Sequence, residues 1–440
     1  MVNGPRMRSR LRLGALCALL SIPALYGAQG DDHAVLRGRL VFSYFDRPAV
    51  GVLDLDTGEV THRFDVSKPN ARLIDTPDGR IVFVVPGDEG SVQALDTGLV
   101  VEAHGDHSDL TKLSVRFLGP IARGERPSHI TAGFGAAAVF YDGPRPADHQ
   151  HSASVTVVRL ESVVRQKGKP ETLALKGSQH GIAVPVARDL WAVTTPKADY
   201  QDGRSSSLPN GFRILDKSQR WKAIASFDDI FDANRSCKEL HGHAALRGIH
   251  VFGCDARGDS TSKLDGGVLI LMKRASRWTS RKLPYPDHRR ASTLKAGETG
   301  SYVVANYGSV GRYDALLRID PGAASLSESR DVFAIPDGQP VCQFGVSPDG
   351  RRVANLLPDG TLRIYEIAPD WKEVAKFEAV APFDCAFEAK GAKPALAVRG
   401  GRAFISDPFG RRIREFDVTT LRQGADLTID GQPGAIAARD

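Results

Sequence analysis

The sequence has few of the features that mark a membrane or nucleic-acid-binding protein. Its long apolar run, Leu13 to Leu25, is shorter than the roughly 20 residues that a membrane-spanning helix needs. The formal charge of the 440 residues is +6, but four arginines lie in the first thirty residues, which contain no acidic residue. The remainder holds 54 basic and 52 acidic residues. Because nucleic-acid binding needs a clustered basic face, no nucleic-acid partner is expected.

The first thirty residues have the layout of a secretory signal. An arginine-rich start precedes the apolar run, and small residues follow it up to Gly30. This layout predicts a signal peptide over residues 1–30, cleavage near Gly30, an exported mature domain over residues 31–440, and no membrane insertion after cleavage.

Cysteine is scarce, with five residues in the chain, and one of them, Cys17, lies inside the signal. An even number in an oxidising compartment favours two disulfides over thiolate metal sites. Four cysteines allow three pairings. Local hairpin geometry favours joining Cys237 to Cys254 and Cys342 to Cys385.

The remaining sequence shows little helical periodicity and many short alternating runs separated by Gly, Pro and Asp, which is typical of an all-β protein. A strand–turn–strand unit such as Val52 to Phe64 recurs about every 50 residues, eight times in all. The repeat predicts a single β-propeller of four-stranded blades, with eight blades favoured over seven and two stacked β domains as a further alternative. The strand at Arg39 to Phe45 is expected to pair with Ala435 to Ala438 and close the ring.

Three histidines occupy the same point of three successive repeats, at the start of the predicted innermost strand. They are His129, His180 and His241, which are 51 and 61 residues apart. Since a repeat ring maps equal sequence positions onto one circle, the three side chains are predicted to converge on a metal ion. The alternative is that each histidine only hydrogen-bonds a neighbouring loop.

Two further segments are rich in metal-ligand residues. Glu102 to Asp109 contains His104, Asp106 and His107, with Gly105 allowing the backbone to turn. His149 and His151 lie in a Pro-rich loop and would form a weaker second metal site. For both segments the alternative is a solvated polar loop.

Common catalytic motifs are missing: the sequence has no Gly-x-Ser-x-Gly, no His-Glu-x-x-His and no P-loop. We therefore expect a protein that is not an enzyme. A metal-dependent propeller hydrolase or lactonase is the alternative, because a zinc ion with an open position activates water, with Asp88 or Asp106 as the first candidates for the base. A metal-free protein-binding scaffold is the third class.

Several segments together resemble the AztD-type periplasmic zinc metallochaperones. They are Ala103 to Asp109, Pro127-Ser-His129, His180 to Pro185, Cys237 to Gly242 with Cys254, and Asn306-Tyr-Gly308. The resemblance implies a β-propeller in the periplasm that binds Zn²⁺ and hands it to the solute-binding protein of a zinc ABC importer. It also implies zinc ligands at His104, His107, His129, His180 and His241, with Asp106 as a further ligand, and a Cys237–Cys254 disulfide. A monomer is expected.

The chain departs from this family in two places. Only Asp31-Asp32-His33 stands where members often carry a histidine-rich segment, and His243 stands where an acidic residue is expected. Histidine and carboxylate ligands also suit copper and nickel. Because neutral imidazole is the ligand, zinc affinity is expected to weaken below about pH 6.

Overall fold

The alternating segments of the sequence form short antiparallel strands. The computed structural model describes residues 37–87, 89–104, 107–144, 152–197, 207–229, 231–232, 234–255, 266–386 and 388–439. Within these ranges the strands form eight four-stranded sheets and one two-stranded hairpin. The predicted eight-bladed propeller is confirmed, and the seven-bladed and two-domain alternatives are wrong.

The first four blades take their strands almost in chain order. Blade 1 contains β1 (Arg39–Tyr44), β2 (Ala49–Asp54) and β3 (Glu59–Asp65). Blade 2 contains β4 (Arg72–Asp75), β5 (Ile81–Val85), β6 (Ser91–Asp96) and β9 (Arg116–Arg123), with the hairpin β7 (Leu99–His104) and β8 (His107–Lys112) inserted. Blade 3 contains β10 (Pro127–Gly133), β11 (Ala136–Tyr141), β12 (Ser154–Arg159) and β13 (Glu171–Ala174). Blade 4 contains β14 (Ala183–Ala187), β15 (Leu190–Thr194), β16 (Phe212–Asp216) and β17 (Lys222–Phe227).

The last four blades repeat the same order. Blade 5 contains β18 (Leu240–Leu246), β19 (Ile249–Cys254), β20 (Gly267–Arg274) and β21 (Arg277–Leu283). Blade 6 contains β22 (Arg290–Ala296), β23 (Val303–Ser309), β24 (Arg312–Ile319) and β25 (Val332–Ala334). Blade 7 contains β26 (Gln343–Val346), β27 (Arg352–Leu356), β28 (Thr361–Glu366) and β29 (Lys372–Glu378). Blade 8 contains β30 (Leu396–Arg399), β31 (Arg402–Asp407), β32 (Arg412–Asp417) and β33 (Arg422–Thr428), and β34 (Pro433–Arg439) follows.

The ring closes between the two ends of the described chain. Strand β34 pairs antiparallel with β1, placing Leu40 opposite Ala438 and Phe42 opposite Ile436, as predicted. Blade 1 is therefore built from both ends of the described chain, with β34 as its innermost strand.

The core lies between blades. Strand β5 is buried along its whole length because alternate residues face opposite neighbours. Phe83 packs in the cluster shared with blade 3, while Val82 and Val84 pack in the cluster shared with blade 1. Such clusters hold each blade rigidly against the next, so the inner strands have fixed relative positions.

Helices are few in the described residues. They are α1 (Leu160–Arg165), α2 (Glu328–Asp331) and two 3₁₀ turns, Lys217–Gln219 and Pro336–Gly338. None of the helices in this part of the chain is both long enough and apolar enough to cross a membrane.

Candidate metal centre

Three histidines from three successive blades meet near the propeller centre. His129 lies on β10, His180 precedes β14, and His241 lies on β18. Their ligand nitrogens all lie within 4.8 Å of one another, and no other such group of His, Cys, Asp or Glu occurs in the described residues. The predicted convergence is what the structure shows, because the repeat places equal sequence positions on one circle.

The spacing of these nitrogens suits a tetrahedral metal ion. The Nε2 atoms of His129 and His180 are 3.2 Å apart. Two ligands at zinc–nitrogen bonds of 2.0–2.1 Å and a tetrahedral angle are separated by roughly 3.3 Å. The nitrogens of His129 and His180 thus have the spacing of two ligands of one ion, and His241 offers a third ligand nitrogen within 4.8 Å of them.

Asp142, which sequence analysis did not select, fixes the orientation of His180. Its Oδ2 lies 2.8 Å from Nδ1 of His180 and 3.2 Å from Arg126, and the carboxylate is 4% exposed. An Nδ1–H donated to this carboxylate leaves the lone pair on Nε2, the nitrogen that faces His129. Asp142 directly follows the apolar strand β11, and an acidic residue at the end of an apolar run is the feature by which the sequence marks it.

Burial keeps two of the histidines neutral. Desolvation lowers the pKa of His129 to about 3, and the neighbouring positive charges of protonated His180 and His241 lower it further. Desolvation likewise lowers the pKa of His241 to about 4, with His180 and Arg290 acting in the same direction. Burial thus favours the neutral form of these two candidate ligands, which is the form that can bind a metal.

Comparison with known proteins covers nearly the whole chain. No protein-family model matches the chain. The zinc chaperone AztD of Citrobacter koseri is 25% identical over 438 residues, covering 98% of this chain and 93% of that protein. The resemblance to AztD is confirmed.

Two solved structures agree with this comparison at the level of the fold. The crystal structure of Citrobacter koseri AztD superposes with a TM-score of 0.74 at 22% identity, covering 91% of this chain and 97% of that one. The structure of apo AztD from the same organism gives a TM-score of 0.73 at 22% identity over the same shares. At this identity they establish a common propeller.

The His-Gly pairs among the AztD-type motifs have a steric basis. A side chain at Gly181 would place its Cβ 2.3 Å from Oγ1 of Thr194 and 2.5 Å from the ring of Phe140. Gly242 has φ +80°, and a Cβ there would lie 2.2 Å from the carbonyl oxygen of Ser292. Glycine after each histidine therefore lets the backbone approach its neighbour closely.

Asn306, from another AztD-type motif, supports His241 indirectly. Strand β22 bulges between Ala291 and Leu294. Oδ1 of Asn306 accepts hydrogen bonds from the two bulged amides, Ser292 at 3.2 Å and Thr293 at 2.7 Å. The carbonyl and hydroxyl oxygens of Ser292 each lie 3.1 Å from Nδ1 of His241. The bulge thus places the two Ser292 oxygens beside Nδ1 of His241, where they orient the imidazole ring.

Both predicted disulfides are present. Cys237 bonds to Cys254, and Cys342 bonds to Cys385. The first joins the segment that leads to His241 to the end of β19. It restrains the backbone beside one candidate ligand.

The remaining predicted ligands are described only in part. His104 ends β7 and His107 begins β8, so the two residues pair at the tip of that hairpin, and their side chains lie outside the described residues. Asp106, His149, His151 and the alternative base Asp88 also lie outside the described residues, as does the signal segment 1–30.

Proposed function

We propose that this protein is a periplasmic zinc chaperone that binds Zn²⁺ through His129, His180 and His241. The observation that carries the proposal is the convergence of the three imidazoles within 4.8 Å. The full-length similarity to the zinc chaperone AztD supports zinc as the cargo. The chain acts as a carrier and has no catalytic role of its own.

Three histidines leave the fourth position of a tetrahedral ion open. A carrier uses such a position to pass its metal on, because a recipient's ligand can join before a donor ligand leaves. His129 and His241 line a cavity of about 550 Å³, which gives an incoming ligand room. The proposed recipient is the solute-binding protein of a zinc ABC importer.

Other predicted ligands extend this proposal. His104 and His107, which pair at the tip of the β7–β8 hairpin, and Asp106 between them in the sequence are proposed as further ligands of the same ion, and His149 with His151 would form a weaker acquisition site. Residues 1–30 act as the cleaved signal, and residues 31–440 form the exported monomeric propeller.

The proposal is tested by metal content and transfer. The mature chain is purified without a histidine tag and compared with His129→Ala/His180→Ala/His241→Ala, and with His62→Ala on the exposed outer strand β3 as the matched control. Stoichiometric zinc in wild type and control, and its loss from the folded triple variant, are expected. Zinc-loaded wild type should then load a zinc-free recipient.

Two outcomes contradict the proposal. A wild type that stays metal-free after incubation with zinc would indicate a binding scaffold. Ester or lactone turnover that depends on the bound zinc would indicate a hydrolase.

A further inference from the structure

A second pair of histidines lies in blade 5, beside the candidate centre. His243 is on β18 and His250 is on β19. Nε2 of His243 lies 3.1 Å from Nδ1 of His250, and the two rings stack with centroids 5.3 Å apart.

A β-bulge separates this pair from the three-histidine centre. The pairing register of β18 with β19 shifts between His241 and His243. As a result His241 lies opposite Gly253 and His243 lies opposite Phe252. His241 consequently contacts Ser292 of blade 6, whereas the ring of His243 packs 4.9 Å from that of Phe252. The bulge therefore directs two histidines of one strand to different surroundings.

His250 is buried although one of its ring nitrogens is unpaired. This side chain is 3% exposed, yet its Nε2 has no hydrogen-bond partner within the described part of the chain. The core beside the pair is apolar and includes Phe252 and Leu271. Burying an imidazole with one unsatisfied nitrogen is unfavourable, and an apolar residue would fill the site without that cost.

The facing nitrogens have the separation of two zinc ligands. Their distance of 3.1 Å is close to the roughly 3.3 Å expected for two imidazoles on one tetrahedral ion. Both residues line the same cavity of about 550 Å³ as His129 and His241. Since a water molecule occupies about 30 Å³, the cavity has room for the waters that would complete the coordination.

We propose that His243 and His250 hold a second, weaker Zn²⁺ position inside the cavity of the three-histidine centre. This inference rests on the proposed zinc-carrier function and adds an intermediate position for the ion on its way to or from that centre. Two protein ligands bind more weakly than three. Lys295 also lines the cavity; burial lowers the pKa of its amine, and in its charged form it opposes a second cation.

The test removes each site separately in the full mature chain. Zinc bound per chain is measured by equilibrium dialysis against Zn²⁺ alone, for wild type, the triple-alanine variant of the centre, His243→Leu/His250→Leu, and all five substitutions together. Exposed His62→Leu is the matched control. Leucine suits the apolar surroundings, so the thermal midpoint of unfolding should be unchanged or higher.

The expected pattern is one tight and one weaker zinc in wild type, only the weaker zinc in the triple-alanine variant, and only the tight zinc in the double-leucine variant. The five-fold variant should bind neither. If the double-leucine chain does not fold, His250→Gln replaces it, since glutamine stays polar but binds zinc poorly, and it should weaken the second zinc at least 10-fold.

The inference is overturned if wild type has no weaker zinc, or if that zinc survives the double-leucine substitution. Loss of the weaker zinc in His149→Ala/His151→Ala, with no effect of the leucines, would assign it to that loop. Retention of the tight zinc by the triple-alanine variant would instead refute the proposed function, so the two failures are distinguishable.

Discussion

Replacing Asp142 by alanine should weaken zinc binding by about 10- to 100-fold although no ligand is removed. The 2.8 Å contact between Oδ2 of Asp142 and Nδ1 of His180 is buried and charge-assisted. It fixes the tautomer that presents Nε2 to the metal. A loss of this size corresponds to about 1.4–2.7 kcal/mol of binding free energy.

The assay is competition with a chromophoric zinc chelator at pH 7.5. Asp142→Asn keeps an acceptor oxygen but loses the charge, so it should weaken zinc binding by about 10-fold. Asp142→Ala loses both and should weaken zinc binding by about 100-fold. Asp96→Asn is the matched control, because Asp96 is equally buried and pairs with Arg80 and Arg116 in blade 2 without contacting a histidine.

A double-mutant cycle decides how Asp142 acts. If it works by orienting His180, Asp142→Ala should add little to His180→Ala. Wild-type affinity in Asp142→Ala would refute the orientation argument. An undiminished loss in the His180→Ala background would show that the carboxylate acts on the metal without His180.

Three other predictions follow from the same centre. Asn306→Ala should weaken zinc binding about 10-fold in the same competition assay, since the β22 bulge that orients His241 loses its acceptor. Gly181→Ala should lower the free energy of unfolding in urea by about 1–3 kcal/mol, because its Cβ would overlap Thr194 and Phe140, and no change would contradict the packing. The folded-state pKa values of His129 and His241 lie below the unfolded value of about 6.5, so the unfolded chain binds more protons between about pH 4 and 6.5. Their contribution to apo-protein stability is complete above pH 6.5 and is lost as the pH falls, at about 1 kcal/mol per pH unit for each histidine after allowance for partial exposure. Urea titrations should show a shallower pH dependence for the triple-alanine variant.

The fold was predictable because its repeat is local. Short turns, such as Pro-Asp-Gly at 77–79 and 348–350, separate alternating strands that recur in each blade, and a closed ring is the arrangement that buries every sheet. The three histidines were predictable for the same reason, since position within the repeat determines position around the axis.

The supporting residues were not predictable from the repeat. Asp142 comes after the second strand of blade 3, and Ser292 orients His241 only because β22 bulges there. The bulge in β22 needs hydrogen-bond acceptors for the amides that it releases from strand pairing. Asn306, on the neighbouring strand β23, supplies that acceptor. The pairing of His250 with His243 was not predictable, because the two residues are separated by a turn and by a register shift in the β18–β19 pair. Contacts that depend on register have no signature in the spacing of residues along the chain.

The low pKa values also constrain how zinc would leave. Three ordinary histidines would release up to three protons per zinc bound below pH 6.5, so affinity would fall steeply on acidification. With His129 and His241 already neutral at pH 5.5, at most about one proton per zinc should be displaced between pH 7.5 and 5.5. Calorimetric titration in buffers of different ionisation enthalpy measures this number, and a value near three would contradict the burial of these histidines. If these two histidines hold the zinc, mild acidification would not remove it from them, and replacement ligands on a recipient would be the route of release that the proposed function needs.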